Sequence, residues 1–232
     1  MTKREFIKIH KAGYLTVPAG LNKLPALRAS KNFVAPTVVN SMGLCTITED
    51  QGQTSKCAAY STTSFAENIL WRQTHCPQQL DYDRVYDMAK TLDGNNEPGT
   101  SLLSAMNGLL LIYPNLFDAT CEPRTITIWG DDVSNIKFAL HKYGCIVGGF
   151  DITRDWYDAD KSTKGWIPST GAKSIGGHAV LVCGYNKNGI QIQNSWGENW
   201  GLNGFCTLRW ADVKKQFMYG CVLKGCLKHI DD

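Results

Sequence analysis

The chain has no long apolar run. Its most apolar stretches, around Leu109–Ile112 and Ala179–Cys183, fall far short of the roughly twenty residues a spanning helix needs, so no membrane partner is expected. It also lacks a strong charge of one sign. With 24 Lys and Arg against 21 Asp and Glu the net charge is +3, too small to call for nucleic acid. The first residues, Met1–Lys8, hold no hydrophobic block and no small-residue cleavage site, which argues against a secretory leader. Histidine is scarce, at five residues. Cysteine, at nine, is too sparse and too odd in number for a disulfide scaffold, and reduced thiols are the expectation. Internal repeats and low-complexity tracts are absent.

What remains is an ordinary globular composition, 43% hydrophobic and 19% charged over 232 residues, suited to one chain folded as two lobes and expected to be monomeric. The charge is uneven. Residues 1–31 carry seven Lys and Arg against Glu5 alone, giving +6, and the total of +3 therefore leaves −3 for the rest. A basic N-terminal extension, residues 1–33, thus precedes a mildly acidic body, and an intramolecular or partner contact of that arm stands beside a solvated tail as a reading. Within residues 34–232, the first part, 34–123, reads as mainly helical and the second, 124–232, as mainly β.

The helices are marked by spacing and punctuation. Ala58, Phe65, Ala66, Ile69 and Leu70 keep a helical period to about Gln73, with Ser55 as the expected N-cap. Val85, Met88, Ala89 and Leu92 mark a second helix, capped by Asp81 or Asp83 and ended by Gly94. Leu102 to Leu110 form a third, ended by Pro114, and Val133 to Lys142 a fourth. Strands are expected at Phe6–Ile9, Cys145–Phe150, His178–Tyr185, Gly189–Asn194, Gly204–Trp210 and Phe217–Leu223, with Asn186–Gly189 as a hairpin turn. Thr153–Ser174 reads as a long surface excursion. Helices first and strands second predict an α+β fold.

The chemistry centres on the loop Asp50–Lys56 and the cysteine that follows it. Cys57 opens a helix, where the macrodipole favours thiolate, and Lys56 beside it adds to that tendency. Taken alone, such a cysteine is more often a buried structural residue. A base changes that balance. His10 lies in the basic arm, His75 and His141 sit at helix C-termini, and His229 is near the chain end. His178 differs: it follows Gly176-Gly177 and opens the apolar strand Ala179-Val180-Leu181-Val182. Sixteen residues on, at the end of the next strand, stands Asn194. Across a hairpin its carboxamide can orient the imidazole, with Trp196 shielding the contact from water. Cys57 then acts as nucleophile, His178 as base and acid, and Gln51 with the Cys57 N–H as oxyanion donors. Cys221-x4-Cys226-x2-His229, with or without Cys206, matches no common zinc spacing, and neither metal nor other cofactor is expected.

Gln51-Gly52-x4-Cys57, Gly177-His178-Ala179-Val180 and Asn194-Ser195-Trp196-Gly197-x2-Trp200-Gly201-x2-Gly204-Phe205, in this order and spacing, resemble the papain-like (C1) cysteine peptidases from about Pro36 onward. The resemblance implies a helical left lobe, a twisted β-barrel right lobe and a cleft that takes an extended polypeptide substrate. It implies catalytic roles for Cys57, His178, Asn194 and Gln51. It also implies substrate contacts for Gly99, Thr100 and Ser101, for Gly177 and Ala179 beside the histidine, and for Trp196. The usual Cys-Gly-Ser-Cys-Trp is here Thr54-Ser55-Lys56-Cys57-Ala58, which removes one half of a common disulfide and a tryptophan beside the nucleophile. Residues 1–33 are much shorter than the family's usual pro-segment. In these departures the chain resembles bacterial and phage members, and a cytoplasmic or virion-associated location is expected. A catalytically silent homologue, and an amidase or transpeptidase acting on cell-wall peptides, are the alternative readings.

Overall fold

The computed structural model describes Leu15 and residues 26–116, 124–129 and 132–224. The strand expected at Phe6–Ile9, most of the basic arm, Cys121, Cys226 and His229 lie outside these residues.

The first half is helical. Helix α1, Cys57–Thr74, is buried along nearly all of its length, so it has no polar face to give to water. Its hydroxyls turn inward instead: Ser61 Oγ donates to the Cys57 carbonyl at 2.9 Å and Thr63 Oγ1 to the Ala59 carbonyl at 3.1 Å. The expected cap is displaced by one residue. Lys56, not Ser55, occupies the N-cap, and no side chain caps the helix. His75 closes it in the left-handed region (φ 54°), its N–H bonded to the Trp71 carbonyl at 2.9 Å.

Helix α2, Tyr82–Asp93, starts on Asp81, whose carboxylate accepts from the Arg84 N–H at 3.0 Å, and ends on Gly94 at φ +63°. Helix α3, Leu102–Ile112, is capped by Ser101 and buries Leu102, Ala105, Met106 and Leu109. Each of its fully buried large apolar side chains contributes about 1.5–3 kcal/mol relative to exposure. Helix α4, Val133–Tyr143, ends at Gly144. Arg72 of α1 reaches the Tyr143 carbonyl at 3.2 Å and packs where a Cβ on Gly144 would stand, so glycine there lets α1 lock onto α4.

The second half is one antiparallel sheet. Strand β1 is Val39–Asn40, β2 Arg124–Trp129, β3 Ile146–Thr153, β4 Ser174–Tyr185, β5 Gly189–Gln193, β6 Phe205–Arg209 and β7 Phe217–Lys224. Their order is β2-β7-β3-β4-β5-β6, with β1 pairing β4 where β3 has ended. The 186–189 turn joins β4 to β5 as expected. Strand β1 falls in the stretch Phe33–Glu49 that the sequence reads as extended, whereas β2 and helix α5, Trp210–Gln216, which follows the shorter β6, were not expected. Strand β1 has two residues and α5 seven, too few to show a period, whereas β2 alternates Ile126 and Ile128 with Thr125 and Thr127, a strand signal present in the sequence.

Residues 153–174 correct the sequence reading in part. Residues 160–164 and 169–174 lie largely at the surface as expected, but Trp156 and Ile167 are fully buried and Asp155 and Ala159 nearly so, which ties the segment into the core. Trp156 donates its indole N–H to Gln216 at 2.7 Å, and Asp155 accepts from the Thr170 N–H at 3.0 Å. Buried residues in an irregular segment leave no periodic trace, and that misled the reading. The two halves share a continuous core, with α1 packed on β4. No helix among the described residues is long and apolar enough to cross a membrane.

Candidate active site

The contact of α1 with β4 sets the site. Cys57 opens α1 and is fully buried. The helix it opens packs on β4, and the amide of Ala179, the residue after His178, is near enough to act on its thiol. Burial pushes the thiol up to about 12, a shift that the amides of Ala179, Ala58 and Cys57 itself oppose. The expectation that Lys56 favours the thiolate is not met by the geometry. Its ammonium turns outward to the Asp83 carboxylate on α2 and lies 5.2 Å over the Tyr86 ring, and the bond to Asp83 raises its pKa.

His178 lies in β4, four residues after its start, and is fully buried. Its Nε2 stands 2.8 Å from Asn194 Oδ1, which also accepts from the Ser195 N–H at 2.8 Å. That second donor identifies the Asn194 atom as the oxygen, so Nε2 carries the hydrogen and Nδ1 of the neutral ring carries the lone pair. Burial is the main cause that lowers the imidazole to about 4, partly offset by the bond to Asn194. Trp196 stacks on the ring with centroids 4.8 Å apart, and Trp156 meets it edge-on at 6.2 Å. Trp156 is fixed in turn through its carbonyl, which accepts from Trp200 Nε1 at 2.7 Å. The expected shielding of the His178–Asn194 pair by Trp196 is therefore present.

The loop before Cys57 is stitched to the Asn194 loop. Asp50 bridges Trp196, the Gln51 N–H donates to the Ser195 carbonyl at 2.9 Å, and the Gly197 N–H donates to Glu49 at 2.9 Å. The Gln51 side chain is nearly buried: Ser195 Oγ donates to its Oε1 at 2.7 Å, and its Nε2 donates to the Thr54 carbonyl at 2.9 Å. Ser195 was quoted only as part of a motif. Its hold on Gln51 spans 144 residues and leaves no local signal.

Of the remaining expected residues, Thr100 and Gly177 meet Leu15. Thr100 forms a parallel bridge with it. A Cβ on Gly177 would stand 2.9 Å from the Leu15 carbonyl, and one on Gly149 would stand 2.5 Å from Leu15 Cδ2. Gly99 precedes this edge at φ +83°. Ser101 is buried as the α3 cap, and the Ala179 side chain is buried beside His178. Leu15, itself 8% exposed, was not singled out from the sequence, where it is one apolar residue in an aperiodic arm. A hollow of about 430 Å³ lined by Cys45, Ile47, Trp71 and Pro77 lies apart from this centre and holds none of the expected residues. Among the described residues no three His, Cys, Asp or Glu gather as a metal site.

Comparisons with known proteins agree with this geometry. A family model described as papain family cysteine protease matches residues 121–220. An uncharacterised peptidase C1-like protein of Acanthamoeba polyphaga mimivirus is 38% identical over 87 residues, 36% of this chain and 28% of that protein. Digestive cysteine proteinase 2 of Homarus americanus is 27% identical over 187 residues, 70% of this chain and 57% of the relative. The chain thus spans between 28% and 57% of the length of these two relatives. Among solved structures, xylellain, a cysteine protease from Xylella fastidiosa, superposes with a TM-score of 0.74 at 16% identity, covering 94% of this chain and 96% of that one. The chain therefore has a papain-like fold, and over residues 121–220 it is similar to the papain family of cysteine proteases.

Proposed function

We propose that this chain is a cysteine endopeptidase acting on polypeptides as a monomer. The observation that carries the reading is the His178–Asn194 pair at 2.8 Å under Trp196, on the strand against which the helix opened by Cys57 packs. In the reaction His178 Nδ1 takes the Cys57 proton, and the thiolate attacks the peptide carbonyl carbon. The resulting oxyanion is held by the Cys57 N–H and by the Gln51 amide hydrogen that does not serve Thr54. Collapse breaks the C–N bond, the amine leaves with the proton from His178, and a thioester remains. Water, deprotonated by His178, attacks the thioester and releases the acid, returning the thiol. Asn194 keeps the ring in the Nε2–H tautomer throughout. The test is hydrolysis of casein, with isolated peptidoglycan and an amine acceptor as parallel substrates. Casein cleavage that is lost in Cys57→Ala is expected. Peptidoglycan cleavage or amine incorporation without casein cleavage favours the amidase or transpeptidase reading, and no turnover at all favours a silent homologue.

Leu15 bears on how the site is reached. It occupies the edge at Thr100 and the glycines 149 and 177, while Cys57 and His178 have no solvent exposure. This supports a second part of the proposal: Leu15 occupies ground that an extended substrate needs and is displaced when substrate enters. Leu15→Asp places a charge where an apolar side chain packs and is expected to raise kcat/KM on a small peptide at least about tenfold, the equivalent of about 1.4 kcal/mol of seating energy. An unchanged rate would refute this role.

A further inference from the structure

We propose that Lys56, Tyr86 and Lys90 are positioning residues that hold the Gly99–Thr100 edge in register with Cys57, which makes α2 a clamp between the nucleophile and the edge that an extended substrate would meet. The kinetic part of the proposal rests on the peptidase reading above.

Asp83, Tyr86 and Lys90 stand at i, i+3 and i+7 on α2 and share one face. Each joins something the site needs. Lys56, adjacent in sequence to Cys57, places its ammonium on the Asp83 carboxylate and over the Tyr86 ring. Tyr86 Oη in turn accepts from the Gly99 N–H at 3.3 Å. Lys90 Nζ donates to the Gly99 carbonyl at 3.1 Å, to the Glu97 carbonyl at 2.6 Å and to Asn95 Oδ1 at 2.9 Å, and it pairs with Asp93 at 3.6 Å. Gly99 therefore has both its N–H and its carbonyl tied to side chains of one helix, in a left-handed conformation that glycine adopts without strain. The next residue is Thr100, which bridges Leu15. The path from Cys57 runs through Lys56 and Tyr86 to Gly99, and so to the edge that meets Leu15.

This explains why a lysine stands beside the nucleophile without serving the thiolate. Its reach spans the gap from the Cys57 loop to α2. The Lys56–Asp83 pair is part-exposed, with side chains 26% and 55% accessible, so it is the weaker anchor. Tyr86 and Lys90 are less exposed and hold the peptide groups of Gly99 directly, and they are the stronger ones. Loss of this clamp lets the edge drift while His178, Asn194 and Gln51 stay in place. Binding of an extended chain suffers, and chemistry on a bound chain does not.

The experiment uses the full chain with Leu15→Asp, so that Leu15 does not compete, and a fluorogenic peptide. Tyr86→Phe is expected to raise KM about three- to tenfold with kcat within about twofold. Lys56→Met is expected to raise KM up to about fivefold, with recovery in Lys56→Arg. The urea midpoint serves as the stability control. KM unchanged in Tyr86→Phe, or kcat lost at constant KM, overturns the proposal. If the parent chain cleaves no peptide, the peptidase reading fails separately, and amide hydrogen exchange decides here. Faster exchange at Gly99 and Thr100 in Tyr86→Phe, at an unchanged urea midpoint, supports the clamp, and unaltered exchange overturns it.

Discussion

The two sides of the site are equally buried but held in different ways. On the β side, His178 is bonded to Asn194, stacked on Trp196 and edged by Trp156, and Trp200 fixes Trp156 in turn. On the helical side, Cys57 is held by backbone amides at the start of α1, with no side-chain cap and with its neighbour Lys56 drawn to a different helix. The contrast teaches that the base is preset by an aromatic and carboxamide cage. The nucleophile depends on what covers it and on how its loop is tied down. Burial keeps both groups neutral in this arrangement, the thiol pushed up to about 12 and the imidazole down to about 4. In the mechanism proposed above, water admitted to the site would move the two values toward each other, the direction that proton transfer from Cys57 to His178 requires.

The largest expected effect tests whether the two sides act as one unit. Cys57→Ala and His178→Ala should each lower kcat/KM on a peptide by at least about 10³-fold, and the double variant should be no worse than either. Additive losses, measured by steady-state kinetics, would break the unit apart.

A second test isolates the β side. The folded imidazole titrates near 4, below the ordinary value of about 6.5, so the unfolded chain binds more protons between those values and stability rises with pH across that window. As pH falls from about 6.5 to 4 the histidine should therefore cost about 3 kcal/mol. Urea unfolding of the parent chain and of His178→Phe at several pH values reads this as a difference. Parallel curves would show that the cage does not hold a neutral ring.

The smallest effect concerns the seam between the sides. Ser195→Ala leaves the buried Oε1 of Gln51 without its donor, at a cost of about 1–3 kcal/mol in stability. A drop in kcat of about tenfold is expected with it, less than the roughly 10²-fold or greater loss for Gln51→Ala. Equal kcat values for Ser195→Ala and the parent chain would detach Ser195 from the oxyanion donor.

What the sequence disclosed follows the same division. The β side was legible because His178 lies in β4 and Asn194 directly follows β5 of the same hairpin, where spacing translates into proximity. Helices α1 to α4 were legible from apolar spacing and from caps at Asp81, Gly94 and Gly144. The helical side was less so. That Lys56 turns to Asp83, that Ser195 grips Gln51 and that Leu15 seats against Thr100 are contacts between segments 27, 144 and 85 residues apart, which no local pattern encodes. Trp156 and Ile167 were misplaced at the surface for a related reason, since burial in an irregular segment follows from tertiary packing alone.

The most direct test of the central claim is covalent labelling of the full chain by an epoxysuccinyl peptide at mildly acidic pH, with the adduct mapped by mass spectrometry. The expected result is one adduct, on Cys57, formed faster in Leu15→Asp and lost in His178→Ala. Label spread over Cys45 and the exposed Cys76, or Cys57 left unlabelled in both the parent chain and Leu15→Asp, would contradict the account.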